Sequence, residues 1–587
     1  MAGRHLATAI ENIVPAMSVT TDAPQTIASG NALAWTAGVL AVLASLPALF
    51  AHGLIGDDWV AYYVFWTEGV SGFAHWMREV AHLGYVPPTL LFYYLDGDTP
   101  NAATRIAGLS CHCLSGVLLY RVLNQSSYTR AIAALTTALF MVTPFYVIRL
   151  TNNATYDFLL VFYLLSYLLM NSSSRLLRWL APVCLLLSLS LETLMALEPL
   201  RLLLASRHEQ SWRAWFTRLI PFGLTVALVV VLRFTILKKS GHYEGVYAPV
   251  HDIGIVTAAL SQHLHAFRRA ISYAYEQGFY FLGYRASAAV TLISITGFAW
   301  FGSEIFRTSW LLKSLASAAN TIRLSFLAVA ITLLGALPYA LAGVYGDPTR
   351  AESRLLFPSQ FGVLLLLAIV IQCFPAQRFR AAIAGGAIAV FALSMAHDGK
   401  WMLYDGLVTS DLLRQTRAAL LADPEPKVVE LRIPSSSPLF FRSRCLGAQD
   451  MNSAQTLLRD DRAPQSFIYT DNCGDFTNPD LVPRGYCPVS YLDNNRCPPR
   501  RETWLYNVAP GIPPLDEIGM VELLRDVLYP LPTSTGGRGE LLKLTNDKLS
   551  PLPRAEYRPP CHRTAVHALL WLLALPVSGC ENIPAGG

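Results

Sequence analysis

Two adjacent carboxylates, Asp57 and Asp58, open a stretch studded with aromatic side chains, from Trp59, Tyr62 and Phe65 to Phe73, Trp76 and Tyr85. Neighbouring acids repel each other, which raises one of their two pKa values and suits a general base. The pair serves equally well as the cap of the helix that follows, since Asp is a favoured N-cap. Glu192 and Asp157 also stand at turns beside apolar runs. Ionisable groups there are costly and usually functional, although a salt bridge, or a helix N-terminus beside Asp157, accounts for them structurally. Glu198, before Pro199, lies deeper and reads as structural. Arg350 and Arg354 are four residues apart, so on an α-helix both could face one phosphate; headgroup anchoring or pairing with Glu352 is the alternative. Lys238 and Lys239 form a basic pair that suits a phosphate or simple snorkelling. His242, His251, His263 and His265 match no compact zinc spacing, so no metal ligand is assigned and a hydrated loop is the expected setting. The cofactor stays unknown: a divalent cation is compatible with these acids but not required. Tyr273, Tyr275, Tyr280 and Tyr284 suit sugar or prenyl stacking, or an interfacial belt.

The elements that must hold these residues are membrane spans. The chain has 587 residues, 53% hydrophobic and only 14% charged, with a mean hydropathy of +0.38, whereas soluble domains carry roughly 25% charged residues. A soluble core cannot absorb that much apolar sequence. No basic stripe with interleaved aromatics appears, which excludes nucleic acid as the expected partner. Apolar run lengths predict about eleven spans, near 32–51, 105–123, 131–148, 156–170, 179–191, 193–205, 219–237, 286–305, 324–342, 359–373 and 381–397. Residues 1–31 are mixed and polar and read as a cytoplasmic N-terminus, not a cleavable signal. With that orientation the Lys/Arg-rich segments Arg121–Arg130, Arg175–Arg178, Arg201–Arg218, Arg307–Arg323 and Arg378–Arg380 all fall inside. Outside lie the loop 52–104, a tight turn at Glu192, the loops 238–285 and 343–358, and everything after 397.

The tail is a different material. Residues 398–563 are rich in Pro and polar side chains, with a strand-like run Val428–Ile433 and a helical piece at Leu515–Leu528. Cys445, Cys473, Cys487 and Cys497 lie here without a CxxC pair, which favours disulfides of open connectivity over zinc. The expected fold is therefore an all-α polytopic membrane protein: a module over 32–397 and an extracytoplasmic, disulfide-containing α+β domain over 398–563. The apolar segment in 564–587 is too short to be assigned as a span. No internal repeat is visible.

One family shares this order of features. The acid pair after the first span, the long amphipathic loop, then Gly97-Asp98, Pro100, Arg105, His112 and Leu118-Leu119-Tyr120 resemble the GT-C-type membrane glycosyltransferases, a superfamily that includes protein mannosyltransferases and aminoarabinose transferases. Ser190-Leu191-Glu192 and the run from Asp347 to Pro358 extend the resemblance over about two-thirds of the chain. Each motif is short and weak alone. The resemblance implies inverting transfer of a sugar from a polyprenyl-phosphate carrier to an extracytoplasmic acceptor (glycan, lipid or protein) in a bacterial inner membrane. It implies that Asp57 is the base; from their positions Asp58 is the second candidate, and Glu192 and Asp157 are expected as secondary acids. Donor phosphate is expected at Arg350, Arg354, Lys238, Lys239 and Arg105. The family's spaced metal-binding acids are absent. Rival expectations are an oligosaccharide polymerase or ligase, and a lipid or glycan transporter, which would need a midplane site and broken spans.

Overall fold

The computed structural model describes residues 24–49, 51, 57–96, 102–125, 130–143, 147–150, 154–199, 201, 212–235, 237, 250–280, 318–348, 351–433, 448–457, 466–470, 487, 496–508, 539–545 and 548–552. They form a helical bundle with a small five-stranded sheet at its C-terminal end. Among the described residues five helices are long and apolar enough to cross a membrane: Ala103–Asn124, Phe216–Arg233, Thr321–Leu341, Ser353–Cys373 and Gln377–Ala422. Thr36–Leu49, Ala131–Met141 and Ala154–Met170 are apolar but shorter. The expected span 286–305 lies outside the described residues.

In chain order the helices are α1 (Pro24–Leu49), α2 (Asp57–Glu79), α3 (Val86–Asp96), α4 (Ala102–Gln125), α5 (Arg130–Met141), α6 (Ala154–Met170) and α7 (Arg175–Ser188). They continue as α8 (Trp212–Thr235), α9 (Ile253–Tyr280), α10 (Ala318–Leu341), α11 (Phe357–Cys373), α12 (Gln377–Ala422) and α13 (Ala448–Leu457). Helix α8 leaves Phe216, Ile220, Leu224, Leu228 and Val231 exposed. An apolar face of that extent is what lipid, not water, tolerates. The core runs along α1, α4, α5, α6, α11 and α12. Helix α4 packs on α6, and α12 packs on both α1 and α9.

Three segments differ from the expectation. The run expected as a span over 193–205 begins as a 3-10 helix, Glu192–Leu197, and Glu198 and Arg201 form a bidentate pair of 2.7 and 2.9 Å within the bundle. That arginine also lies over the Tyr167 ring at 3.8 Å. The loop 238–285 contains the 28-residue α9 rather than hydrated coil. Its residues His263, Ala266, Phe267, Ala270, Tyr273 and Ala274 are buried, the three-and-four spacing of a helix with one packed face. His263 accepts from the Gly346 N–H at 3.3 Å through Nδ1, so its Nε2 carries the proton donated to Ser359 Oγ at 2.8 Å. Finally, α12 runs through the position where the last span was expected to end, 397, and carries on to Ala422.

The sheet has the order β2-β1-β3-β4-β5, with β1 (Lys427–Arg432), β2 (Phe467–Thr470), β3 (Arg500–Val508), β4 (Gly539–Thr545) and β5 (Lys548–Pro551). Strand β1 is parallel to both neighbours, and β3-β4-β5 are antiparallel. The strand expected at Val428–Ile433 is β1, and its buried Val428, Val429 and Leu431 read as one apolar run because parallel strands are covered on both faces. Helix α13 crosses from β1 to β2 and is fixed by Asn452, whose amide meets both the N–H and the carbonyl of Ile468 at 2.9 and 2.7 Å. Cys487 and Cys497 form a disulfide. Cys445, Cys473 and the helix expected at Leu515–Leu528 lie outside the described residues.

Candidate functional site

Helix α2 begins at Asp57, and its first half is buried: Asp58, Val60, Ala61, Tyr62, Val64 and Phe65. Gly69, at φ 67° and ψ −166°, breaks the helix in two; only glycine takes that geometry cheaply. Beyond it Val70 is exposed, while Phe73 and Trp76 turn back into an aromatic core with Phe65 and Tyr93. Tyr62 and Tyr93 stack at 4.0 Å between ring centroids, and that contact ties α2 to α3.

Asp96 ends α3 and is buried. It accepts hydrogen bonds from the Tyr62 hydroxyl, from Thr104 Oγ1 at 2.6 Å and from the Thr104 N–H at 3.0 Å. A carboxylate thus sits on the first turn of α4, where the helix dipole favours negative charge. Burial pushes the Asp96 pKa up, and the bonds from Thr104 and Tyr62 offset only part of that rise. Burial, then the charges of Asp58 and Asp96, hold the Tyr93 phenol well above its ordinary value.

Arg105 follows on α4 and is 1% exposed. It donates to the Ala51 carbonyl just beyond α1, one of the acceptors a helix end leaves over. The charges of Asp58 and Asp96 both act on it. Three charges, two negative and one positive, are therefore desolvated together where α1, α2, α3 and α4 meet.

The other expected site residues distribute as follows. Asp57 is the first residue of α2, and its side chain lies outside the described set. Asp157, buried on α6, pairs with His112 of α4 at 3.2 Å. The other nitrogen of His112 meets the Met141 carbonyl at 3.0 Å. Two acceptors flank one imidazole, so either both ring nitrogens carry protons or Asp157 does. His112 is seven residues from Arg105, about 10 Å along the helix, so Asp157 belongs to a deeper layer than Asp58. Glu192 opens its 3-10 helix, its side chain also outside the described set. Arg354 is half-buried on a second 3-10 helix, Ala351–Leu356. Arg350, Lys238 and Lys239 lie outside the described residues. Among the described residues no three His, Cys, Asp or Glu side chains converge as a metal site.

Two groups were missed by sequence reasoning. Asp96 is the first acid of Asp96-Gly97-Asp98, nine residues before Arg105, and that proximity was its only signal. The second group is the segment His397–Asp405 of α12, hidden because an apolar run was taken to end there. His397, Asp398, Lys400, Tyr404 and Asp405 are all buried. Asp398 accepts from the Tyr273 hydroxyl of α9 at 2.9 Å, and Asp405 accepts from Thr409 at 2.8 Å.

Above this end of the bundle sits the sheet domain. Its helix α13 packs against α2. Helix α12 joins the two layers through Gln415, which accepts from the Leu541 N–H at 3.0 Å, and Asp411, which accepts from the Tyr506 hydroxyl at 3.2 Å. No protein-family model matches the chain, and no curated protein is significantly similar to it.

Proposed function

We propose that this chain is a membrane glycosyltransferase of the GT-C type, moving a sugar from a polyprenyl-phosphate carrier to an acceptor on the extracytoplasmic face of a bacterial plasma membrane. The observation that supports it most is the desolvated set Asp58–Arg105–Asp96 at the first turn of α2. Sugar transfer needs a base for the acceptor hydroxyl and cationic groups near the departing phosphate. Two buried acids beside one cation carry an excess negative charge, and adding Asp57 increases it. Such an excess favours holding a proton, which is the property a base needs.

In this reading Asp57 takes the acceptor proton. Asp58 and Asp96, through Arg105, hold α2 against α4 so that the start of α2 keeps its place. Asp157 and Glu192 are secondary acids, and Arg350, Arg354, Lys238 and Lys239 are further candidates for the donor phosphate. Helix α13 packs against α2, and water excluded from the site strengthens every charge interaction within it. Inversion follows if the acceptor attacks opposite the phosphate.

The test is Asp57→Asn in the full-length protein. The expected outcome is a loss of sugar transfer from polyprenyl-phosphate sugar of about 10²–10⁴-fold, with the melting temperature unchanged. Transfer at the wild-type rate removes Asp57 from the mechanism. A transport function would instead show lipid-linked sugar crossing the bilayer unmodified.

A further inference from the structure

Helix α9 carries two adjacent arginines, Arg268 and Arg269, on its exposed face. Three contacts fix their level in the bundle. Five residues before Arg268, His263 donates to Ser359 Oγ in the first turn of α11 at 2.8 Å and stacks on Tyr339 in the last turn of α10. Arg269 itself pairs with Asp347, in the connection between α10 and α11, at 3.6 Å. Five residues after Arg268, Tyr273 donates to Asp398, just past the end of the apolar run of α12. All three marks are ends of apolar segments. The arginine pair therefore lies at the rim of the bundle, the level of lipid headgroups for helices of membrane-spanning length.

The spacing on α9 sorts the neighbours of that pair. Leu264, Ile271 and Tyr275 are all exposed. They stand four residues before, three after and seven after Arg268, which places them with it on one stripe of the helix. Further along, Gly278 lies so close to α12 that an added Cβ would stand 3.4 Å from the Val390 carbonyl oxygen, within the apolar run. The stripe thus descends from Arg268 past Ile271 and Tyr275 towards the apolar part of the bundle. A guanidinium at the head of an apolar stripe matches a phosphate at the head of an acyl chain. The neighbouring α10 packs against α9 and leaves Phe326, Val329 and Leu333 exposed, so the stripe borders a surface that already suits lipid.

The charges leave room for an anion. Arg268 makes no ion pair among the described residues, and Arg269 meets Asp347 with a group that has five donors. The next acid along the helix, Glu276, is eight residues from Arg268, about 12 Å along the axis. We propose that this rim of α9 binds the headgroup phosphate of an anionic phospholipid from the surrounding bilayer. Arg268 and Arg269 meet the phosphate, and Ile271 and Tyr275 line the upper part of an acyl chain. In the orientation expected from the sequence this is the outer rim, where Lys and Arg are scarce, and an anionic lipid gives the pair a reason to be there. The inference needs the membrane bundle and not the glycosyltransferase reading.

The experiment measures lipid binding to the detergent-purified full-length protein by native mass spectrometry. The probes are phosphatidylglycerol and phosphatidylcholine with identical chains. The proteins are wild type, Arg268→Gln, Arg268→Lys and, as a control, Arg175→Gln, which removes an exposed cation of α7. Because Arg268 is exposed, its substitution is expected to leave folding intact. The expected result is that wild type prefers phosphatidylglycerol and that Arg268→Gln weakens this binding about fivefold, the effect of one basic residue at an anionic lipid surface. Phosphatidylcholine binding stays unchanged, Arg268→Lys keeps most of the preference, and Arg175→Gln behaves as wild type. Phosphatidylglycerol binding unchanged in Arg268→Gln, an equal loss of phosphatidylcholine, or the same loss in Arg175→Gln overturns the assignment. Polyprenyl phosphate displacing phosphatidylglycerol at equal concentration also overturns it, because the site then belongs to a lipid-linked donor and not to the bilayer.

Discussion

Two charge networks in this protein use the same residue types with opposite balances of acid and cation. At the bundle end, Asp58, Asp96 and Arg105 are almost fully buried, and the acids outnumber the cation. In the sheet domain, the partly exposed Arg500 and Lys543 and the buried Lys427 converge on the buried Glu502 and the exposed Asp423, so cations outnumber those two acids. Glu502 receives Lys543 at 2.8 Å and Arg500 at 2.5 Å, and Asp423 receives Lys427 at 2.6 Å. Burial works against the Glu502 charge, but Lys543, Trp504 and Lys427 more than offset it and hold its pKa low. Hydrogen bonding from Lys427 draws Asp423 down to about 2. At Asp96 the balance runs the other way. Charge that is over-compensated is settled into its ionised form and acts as glue; charge that is under-compensated in a dry place stays ready to take a proton.

The comparison can be broken most directly at Arg105. Arg105→Met leaves Asp58 and Asp96 buried without their cation, which costs about 3–5 kcal/mol when one partner of a buried pair is removed. Thermal melting in detergent should show a large drop in stability, only partly recovered in Arg105→Lys. A change within error would mean that this network is no tighter than a surface one.

A smaller effect sharpens the contrast at Asp96. Its folded pKa is raised, so the folded state holds the proton more tightly than the unfolded chain does. Stability therefore rises as pH falls through the folded value, and levels off below the ordinary carboxylate value of about 3.9. Asp96→Asn should remove this slope from the melting temperature between neutral and mildly acidic pH, its amide oxygen still accepting from Tyr62 and Thr104. An identical slope in the variant would assign the pH response to another group.

The smallest effect is expected at Asp423, where the sign is reversed. Its folded pKa is depressed, so its stabilisation is present above the ordinary value and is lost as pH falls through about 2. Asp423→Asn should lower stability slightly at neutral pH and flatten the fall in stability as pH drops towards about 2, so that variant and wild type converge in strong acid. Loss of stability at neutral pH comparable to that of Arg105→Met would erase the distinction between the two networks.

Helices of membrane-spanning length were legible in the sequence because they depend on run length and composition, which are local; five of the eleven expected spans are matched by such helices among the described residues. Strand β1 was legible for the same reason: Val428, Val429 and Leu431 form an apolar run whatever surrounds them. Asp58 and Arg105 were identified as candidates, yet nothing in their types placed them together. They are 47 positions apart, and the aromatic stack of Tyr62 on Tyr93 that closes the gap is a contact between helices. The boundary at 397 was misplaced for a related reason. The apolar run does stop there, but α12 does not: its next polar side chains are buried, Asp398 accepts from Tyr273, and Gly399 packs closely on α1 at Ala48.

The sequence by itself marked the character of each segment: apolar runs long enough for membrane helices, a cysteine-bearing polar tail, and acids beside the apolar runs. Only the tertiary structure decided which of those acids lost their water. Burial is a property of neighbours from distant parts of the chain, and here it separates Asp58 from an ordinary helix cap. Asp58 is enclosed by α3, α4 and their aromatic contacts, opposite a buried arginine, and that enclosure turns a common helix-start residue into part of a candidate reaction centre.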